Sequence, residues 1–149
     1  MAAEDAASTD DARIRRLMND WAHALRAKDI DRLMAAYTPD ILVFDLAPPL
    51  QYAGTDSYRR NYEEWFASFR GQIGYDFREL TITTGGNAAF AHSLNHISGV
   101  RANGETTDVW VRATIGYRKI NGNWYVAHEH FSTPFEMKPP FRALLDLKP

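Results

Sequence analysis

Residues 112 to 135 read RATIGYRKINGNWYVAHEHFSTPF, and this stretch decides the fold. The pair Asn121-Gly122 stands between two runs rich in β-branched and aromatic residues. Asn-Gly in this setting is the strongest short signal for a β-hairpin, because a type I′ turn needs positive φ at both central residues. We therefore predict two long antiparallel strands, the second of which carries a His-Glu-His triplet.

Similar turn signals recur through the second half of the chain. Gly85-Gly86 and Asn103-Gly104 separate further runs of β-forming residues that begin at about residue 72. Together with the Asn-Gly turn they predict four strands of roughly 10 to 15 residues in an antiparallel meander.

The first half of the chain has helical spacing instead. Apolar residues recur at helical intervals in segments 14–25, 30–37 and 58–69, and a short strand is predicted at 41–46. The first helix is expected to begin at a cap formed by Ser8, Thr9 or Asp10. Helices followed by strands indicate an α+β domain whose helices lie on one face of the sheet.

Composition narrows the classes of function. The 149 residues fit one domain and carry a net charge of -2 and no cysteine, so a basic nucleic-acid footprint, disulfides and thiolate chemistry are not expected. The sequence contains neither an apolar run long enough for a membrane span nor a secretory signal, which favours a cytoplasmic protein. No Gly-rich dinucleotide turn or phosphate loop is present, so no cofactor is predicted.

The order of elements resembles the SnoaL-like and ketosteroid-isomerase-like branch of the nuclear-transport-factor-2-like (NTF2-like) superfamily. The matching segments are FDLAPPLQYAGTDSYRRNYEEWF (44 to 66), TDVWVRATIGYRKINGNW (107 to 124) and VAHEHFSTPF (126 to 135). The resemblance implies a cone-like, cystatin-like fold with N-terminal helices in the concave face of a strongly curved antiparallel sheet, a deep pocket, and a homodimer formed through the outer sheet face.

We accordingly predict three segments. Residues 1–8 should be disordered, residues 9–137 should form the SnoaL-like domain, and residues 138–149 should be a tail that packs on it.

The register of the last hairpin decides which side chains share a face. With a plain two-residue turn, Ala113 opposes His130 and Arg112 lies on the other face. Long strands must bend, and a glycine often marks the bulge that bends them. One extra residue at Gly116 would make Arg112 oppose His130 and would separate polar from apolar side chains. We favour this register, which places both histidines and the arginine inside the cone and leaves Glu129 on the apolar face, in need of a partner.

Four residues are candidate catalytic groups. His128 and His130 titrate near neutral pH and could exchange protons with a substrate. Arg112 lies within a strand and would need an acidic partner or an anionic ligand. Asp45 continues the apolar face of a short strand, where a desolvated carboxylate could act as a base.

The candidate substrate-binding residues are polar or aromatic side chains expected near the pocket. Tyr37 could donate a hydrogen bond to a substrate oxygen, as a tyrosine does in ketosteroid isomerase. The full set is Tyr37, Tyr62, Trp65, His92, Asn95, Asp108 and Trp110.

Structural interpretations of the same residues stay open. The histidines could be a core or dimer-interface pair, Arg112 could form an ion pair with Asp108 or Asp45, and the aromatic residues could be core. Two histidines with one of these aspartates could also form a metal site, although no local ligand motif supports one, and no metal is predicted.

Two functions follow from these residues and the resemblance. The first is a cofactor-independent enzyme that carries out acid/base isomerisation, cyclisation or hydration on a hydrophobic carbonyl-type metabolite. The second is a non-catalytic module that binds a small hydrophobic or carboxylate-bearing molecule, or that associates as a dimer. Nucleic acid and membrane partners are not expected.

Overall fold

The computed structural model describes residues 2–149 as three helices and six strands. The helices are α1 (Ala2–Ala27), α2 (Ile30–Met34) and α3 (Thr55–Ala67). The strands are β1 (Tyr37–Phe44), β2 (Tyr52–Ala53), β3 (Phe69–Gly85), β4 (Ala88–Arg101), β5 (Thr106–Ile120) and β6 (Asn123–Ser132).

The strands form one six-stranded sheet in the order β2-β1-β6-β5-β4-β3. Strands β3 to β6 pair as the predicted antiparallel meander, and β1 adds to β6 in parallel. Helix α1 packs against β3, and the buried apolar residues of the helices and of one sheet face form a single core. The α+β class and the helices on the concave face of a curved sheet are therefore confirmed.

The N-terminal segment differs from the prediction of disorder for residues 1–8. Helix α1 begins at Ala2, while Met1 lies outside the described residues. Alanine is the best helix former, and Glu4 and Asp5 in the first turn interact favourably with the helix dipole.

Asp10 therefore lies within the helix and does not cap it. Its carboxylate accepts a hydrogen bond from Trp124 Nε1 at 3.0 Å and lies 3.0 Å from Lys119 Nζ. The N-terminal half of α1 is thereby attached to the β5–β6 hairpin.

Several helices and strands begin or end at residues other than those predicted from the sequence. Strand β1 begins at Tyr37, because Tyr37 pairs with Val126 before the register shifts around Pro39. Proline is tolerated there because such an irregularity does not need its missing N–H. Helix α3 ends at Ala67, and Gly71 lies within β3 with φ of 64°.

The β5–β6 hairpin confirms the predicted turn but corrects the predicted bulge. Ile120 pairs with Asn123 across two residues of positive φ. Tyr117 pairs with Val126 whereas Gly116 pairs with His128, so the extra residue is Ala127 on β6 and not Gly116 on β5. A Cβ at Gly116 would lie 3.4 Å from the Cβ of His128, so the glycine gives the opposing histidine room.

The C-terminal segment folds back on itself beyond β6. Phe135 forms a bridge with Ala143, and the backbone N–H of Leu144 donates to the carbonyl of Pro134 at 2.8 Å. Within residues 2–149, no helix is long and apolar enough to cross a membrane.

Candidate active site

The bulge at Ala127 turns Glu129 toward the helices. Its neighbours on this inner face are apolar, and the glutamate side chain is only 1% exposed. Among residues 2–149, no lysine, arginine or histidine lies within 4.0 Å of its carboxylate. Burial raises the pKa of Glu129 to about 7 from an ordinary 4.5, although hydrogen bonds from two tyrosines act in the opposite direction.

Three tyrosines surround this carboxylate. Tyr37 donates to Oε1 at 2.8 Å and Tyr58 donates to Oε2 at 2.7 Å. The Tyr62 hydroxyl lies 3.3 Å from that of Tyr37 and 3.2 Å from that of Tyr58. Trp21 Nε1 donates to the Tyr37 oxygen at 2.7 Å, which completes a polar cluster inside the core. We call Glu129, Tyr37, Tyr58, Tyr62 and Trp21 the Glu129 cluster.

A cavity of about 140 Å³ opens beside the Glu129 cluster, and we call it the main cavity. Its wall is mostly aromatic and aliphatic, with contributions from α1, α3 and the inner face of the sheet. The lining residues are Trp21, Leu25, Asp45, Leu46, Ala47, Tyr58, Asn61, Tyr62, Trp65, Tyr75, Ile97, Val111 and Phe131.

Asp45 is the carboxylate of the main cavity. It follows β1 and is half-buried, with Oδ2 accepting from Asn61 Nδ2 at 2.9 Å and Oδ1 accepting from the Leu46 N–H at 2.7 Å. Burial raises the pKa of Asp45, whereas these two hydrogen bonds lower it. No cation lies within 4.0 Å of it in the described part of the chain, so its charge is stabilised by neutral donors alone.

A second series of hydrogen-bonded side chains lies on the inner face of β3 and β4. Ser93 Oγ donates to Asn95 Oδ1 at 2.6 Å, and Asn95 Nδ2 donates to the Tyr75 hydroxyl oxygen at 2.7 Å. Tyr75 lines the main cavity and also a smaller cavity of about 20 Å³, which Asn95 and Glu129 border. Tyr75 thus lies between the cavity that Asp45 lines and the cavity that Glu129 lines.

The main cavity opens toward a wide vestibule of about 950 Å³. Leu46 and Trp65 border both spaces, and the C-terminal segment contributes Leu145 and Lys148 to the outer wall. Arg101 stands at the vestibule, with its guanidinium 4.1 Å from the ring centroid of Phe69.

The structure places the predicted catalytic residues on two sides of the sheet. Asp45 lies on the inner side, as predicted. Arg112 and His130 are exposed and His128 is half-buried, all on the outer face, so the prediction that they face the pocket is wrong. The reason is that the apolar alternate residues of β5 and β6 pack against the helices, which turns the polar alternate residues outward.

The outer-face residues make contacts of their own. His128 Nδ1 donates to the Leu42 carbonyl at 2.7 Å, and Phe44 packs edge-on against both histidine rings. Arg112 donates to Ser132 Oγ at 3.0 Å and has no carboxylate partner within 4.0 Å among residues 2–149.

The predicted substrate-binding residues divide in the same way. Tyr62 and Trp65 line the main cavity, Asn95 lines the smaller one, and Tyr37 reaches Glu129. His92, Asp108 and Trp110 belong to the outer side of β4 and β5, and Asp108 also borders the vestibule. Asp45 lies on the opposite side of the sheet from the histidines, and within residues 2–149 neither it nor Asp108 forms a group with them that could hold a metal.

Sequence reasoning missed Glu129, Tyr58 and Tyr75 as site residues. The signal for Glu129 was present, since it breaks an apolar alternation and required a partner. Tyr58 shares a helical face with Tyr62, so the spacing of four residues predicts a neighbour but not a carboxylate between them.

Comparison with known proteins agrees with this architecture. A family profile described as a SnoaL-like domain matches residues 14–136. An NTF2-like protein of unknown function from Pseudomonas putida KT2440 is 36% identical, with a TM-score of 0.87 over 96% of this chain and 99% of that chain. Among curated proteins, none matches.

More distant solved structures show the same fold. A proposed scytalone dehydratase from Novosphingobium aromaticivorans is 17% identical, with a TM-score of 0.78 over 100% of this chain and 99% of that chain. The association domain of CaMKII from C. elegans is also 17% identical, with a TM-score of 0.68 over 87% of this chain and 99% of that chain.

The fold and the interior site define a cone-shaped α+β domain with an apolar interior that contains two carboxylates, Asp45 and Glu129, without a cationic partner within 4.0 Å among residues 2–149. The protein belongs to the SnoaL-like family.

Proposed function

We propose that the protein is a cofactor-independent enzyme in which Asp45 removes a proton from a small hydrophobic carbonyl compound. The observation that carries this proposal is a half-buried carboxylate, held by neutral donors only, at the wall of an apolar cavity. Burial raises the pKa of Asp45, and a carboxylate with a raised pKa is a stronger base than one in water.

The size of the main cavity limits the substrate. An engineered apolar cavity of about 150 Å³ holds benzene, so a cavity of this size admits about one ring. The opening to the vestibule lets substituents extend outward past Leu46 and Trp65.

The proposed reaction begins at the carbon next to the carbonyl. Asp45 takes a proton from this carbon, the C–H electron pair moves into the new C=C bond, and the carbonyl oxygen gains negative charge. In a β,γ-unsaturated ketone, return of the proton from Asp45 to the γ carbon moves the C=C bond into conjugation and completes isomerisation. In a β-hydroxy ketone, the enolate electron pair restores the C=O bond, a C=C bond forms between the α and β carbons, and the β-hydroxyl leaves as water with the proton that Asp45 had taken. The similarity to a proposed scytalone dehydratase supports this class of reaction by analogy of fold alone.

Glu129 would supply the second titrating group. Its environment differs from that of Asp45 because it is fully buried, and burial raises its pKa to about 7. Burial also raises the pKa of Asp45, and carboxyl groups with perturbed pKa values are typical of acid/base sites. Tyr58 connects Glu129 to the wall of the main cavity.

Exchange of α-protons of cyclohexanone in D₂O, followed by NMR, tests the proposal without knowledge of the natural substrate. We expect wild-type protein to accelerate exchange and Asp45→Asn to reduce the rate by about 10²- to 10⁴-fold, the usual contribution of a general base. Asp56→Asn changes an exposed carboxylate of α3 and should exchange as the wild type does. Equal rates for wild type and Asp45→Asn would refute the assignment.

A second candidate function is association through the outer sheet face. His96 stacks on Trp110 with ring centroids 4.7 Å apart, and its Nε2 lies 2.6 Å from Asp108 Oδ1. This half-buried aromatic patch, together with similarity to a CaMKII association domain, supports a homodimer.

Sedimentation at several protein concentrations tests the dimer. Trp110→Glu should convert a dimer to a monomer, whereas Glu64→Lys on the exposed side of α3 should leave the dimer intact. A wild-type monomer at micromolar concentration would exclude this second function.

A further inference from the structure

The hydroxyl groups of the tyrosines that line the main cavity differ in where their protons go. Tyr58 donates its proton to Glu129, at 2.7 Å. The Tyr62 hydroxyl has the hydroxyls of Tyr37 and Tyr58 within 3.3 Å and 3.2 Å, so its proton is accepted within the Glu129 cluster. Neither hydroxyl needs a ligand to complete its hydrogen bonds.

Tyr75 is different because its oxygen is an acceptor. Asn95 Nδ2 donates to it at 2.7 Å, and the amide oxygen of Asn95 is already occupied by the Ser93 hydroxyl at 2.6 Å. With the amide held in this orientation, Asn95 offers Tyr75 no acceptor. Across residues 2–149, no other acceptor lies within hydrogen-bonding distance of the Tyr75 hydroxyl.

Among residues 2–149, the Tyr75 hydroxyl therefore donates its hydrogen to no protein acceptor, although it lies in a nearly closed interior. The residue is only 3% exposed and lines both the main and the smaller cavity. Buried donors in native proteins almost always have an acceptor, so an unused one calls for an explanation. The bond received from Asn95 also polarises the Tyr75 O–H and strengthens it as a donor.

The charges near Tyr75 indicate what kind of acceptor fits. Burial, followed by the negative charges of Glu129 and Asp45, raises the pKa of Tyr75, so the phenol stays protonated and able to donate. The same negative charges disfavour a second anion in this space. A neutral oxygen acceptor is consequently preferred over a carboxylate at this position.

We propose that Tyr75 donates a hydrogen bond to the carbonyl oxygen of a neutral ring ketone or aldehyde that binds in the main cavity. Its role deepens the proposed function, since Tyr75 would hold the oxygen on which charge develops when Asp45 removes the neighbouring proton. Ser93 and Asn95 are positioning residues that aim this donor.

A matched pair of ligands isolates this hydrogen bond. Cyclohexanone and methylenecyclohexane have nearly the same shape, but only the ketone has an oxygen that can accept a hydrogen bond. Their dissociation constants are measured by NMR titration of wild type, Tyr75→Phe, Asp45→Asn and a surface control, Tyr125→Phe. We expect Tyr75→Phe to weaken cyclohexanone binding about threefold to tenfold and to leave methylenecyclohexane binding unchanged.

The two further variants separate this inference from the proposed function. Tyr125→Phe should keep the wild-type ratio of the dissociation constant of methylenecyclohexane to that of cyclohexanone. If Asp45→Asn does not affect proton exchange but Tyr75→Phe lowers the ratio, the base assignment fails and the Tyr75 donor stands. If Tyr75→Phe leaves the ratio unchanged, the Tyr75 donor is refuted even where Asp45 proves essential for exchange.

The carbonyl stretch of bound cyclohexanone gives a measurement that needs no variant. In wild-type protein it should lie at lower wavenumber than in cyclohexane solution, because a hydrogen bond weakens the C=O bond. A stretch equal to that in cyclohexane, or the absence of saturable cyclohexanone binding to the wild type, would overturn the proposal.

Discussion

Replacement of Glu129 by glutamine should change how stability depends on pH. Burial raises the pKa of Glu129 from 4.5 to about 7, so the folded protein binds this proton more tightly than the unfolded chain does. Between these two values the folded state carries more protons, and the free energy of unfolding must fall as the pH rises. Above about pH 7 both states are ionised and the dependence ends.

The size of the effect follows from the shift. Each pKa unit corresponds to about 1.36 kcal/mol, so the shift of Glu129 to about 7 amounts to roughly 3 kcal/mol of lost stability between acid and neutral pH. Glu129→Gln cannot ionise and should not show this loss. The stability of wild type relative to Glu129→Gln should therefore decrease by roughly 3 kcal/mol from pH 4.5 to pH 8.

Urea unfolding followed by tryptophan fluorescence at several pH values measures this difference. All other ionisable groups are common to both proteins, so their contributions cancel in the comparison. Glu64→Gln changes an exposed glutamate of α3 and should differ from wild type by a constant amount. A constant difference for Glu129→Gln as well would refute the argument, since it would mean that folding does not raise the pKa of Glu129.

Two further predictions concern stability. Asp10→Asn should lower the free energy of unfolding at pH 7, measured by thermal unfolding, by about 2 kcal/mol, because it weakens charge-assisted hydrogen bonds to an indole and an ammonium group. The control Asp11→Asn, in an exposed i,i+4 ion pair, should lower it by under about 0.5 kcal/mol. Hydrogen bonding to the indole lowers the pKa of Asp10, so the stabilisation by the Asp10 carboxylate should disappear as the pH falls through that lowered pKa. If Asp10→Asn lowers the free energy of unfolding as much in acid as at pH 7, this reasoning is wrong. Gly116→Ala should change the free energy of unfolding by less than about 1 kcal/mol. Gly99→Ala should lower it by about 1–3 kcal/mol, because the new Cβ would lie 2.9 Å from Phe69 Cδ1. Comparable losses for the two variants would show that the bulge depends on Gly116.

The order of helices and strands could be predicted from the sequence because it depends on local signals such as turn residues and apolar spacing. Asn121-Gly122 needed positive φ twice, and the pattern of turns allowed only a meander to follow. The ends of elements were less predictable. Tyr37 joins β1 through a pairing with Val126, and this contact across the chain has no local signature.

The candidate site was predicted only in part, and the reason lies in the alternation along β5 and β6. A bulge on either strand gives the same separation of polar from apolar side chains, so the sequence could indicate that Arg112 and His130 share a face. It could not indicate from the polar residues alone that this face is the outer one. The outer face is the one that does not meet α1 and α3. The apolar residues pack against these helices because their burial is more favourable, and the polar residues therefore face outward.

The position of the extra residue connects this alternation to the chemistry of the interior. With Ala127 inserted, Glu129 points inward beside residues whose apolar packing holds the sheet against the helices. A buried carboxylate in such a place is expensive unless it is hydrogen-bonded, and here two tyrosine hydroxyls donate to it. Those tyrosines are thereby committed to the carboxylate, which leaves Tyr75 as the lining tyrosine whose proton is free for a ligand. A single inserted residue in β6 thus determines both where the negative charge lies and which hydroxyl can act on a molecule in the main cavity.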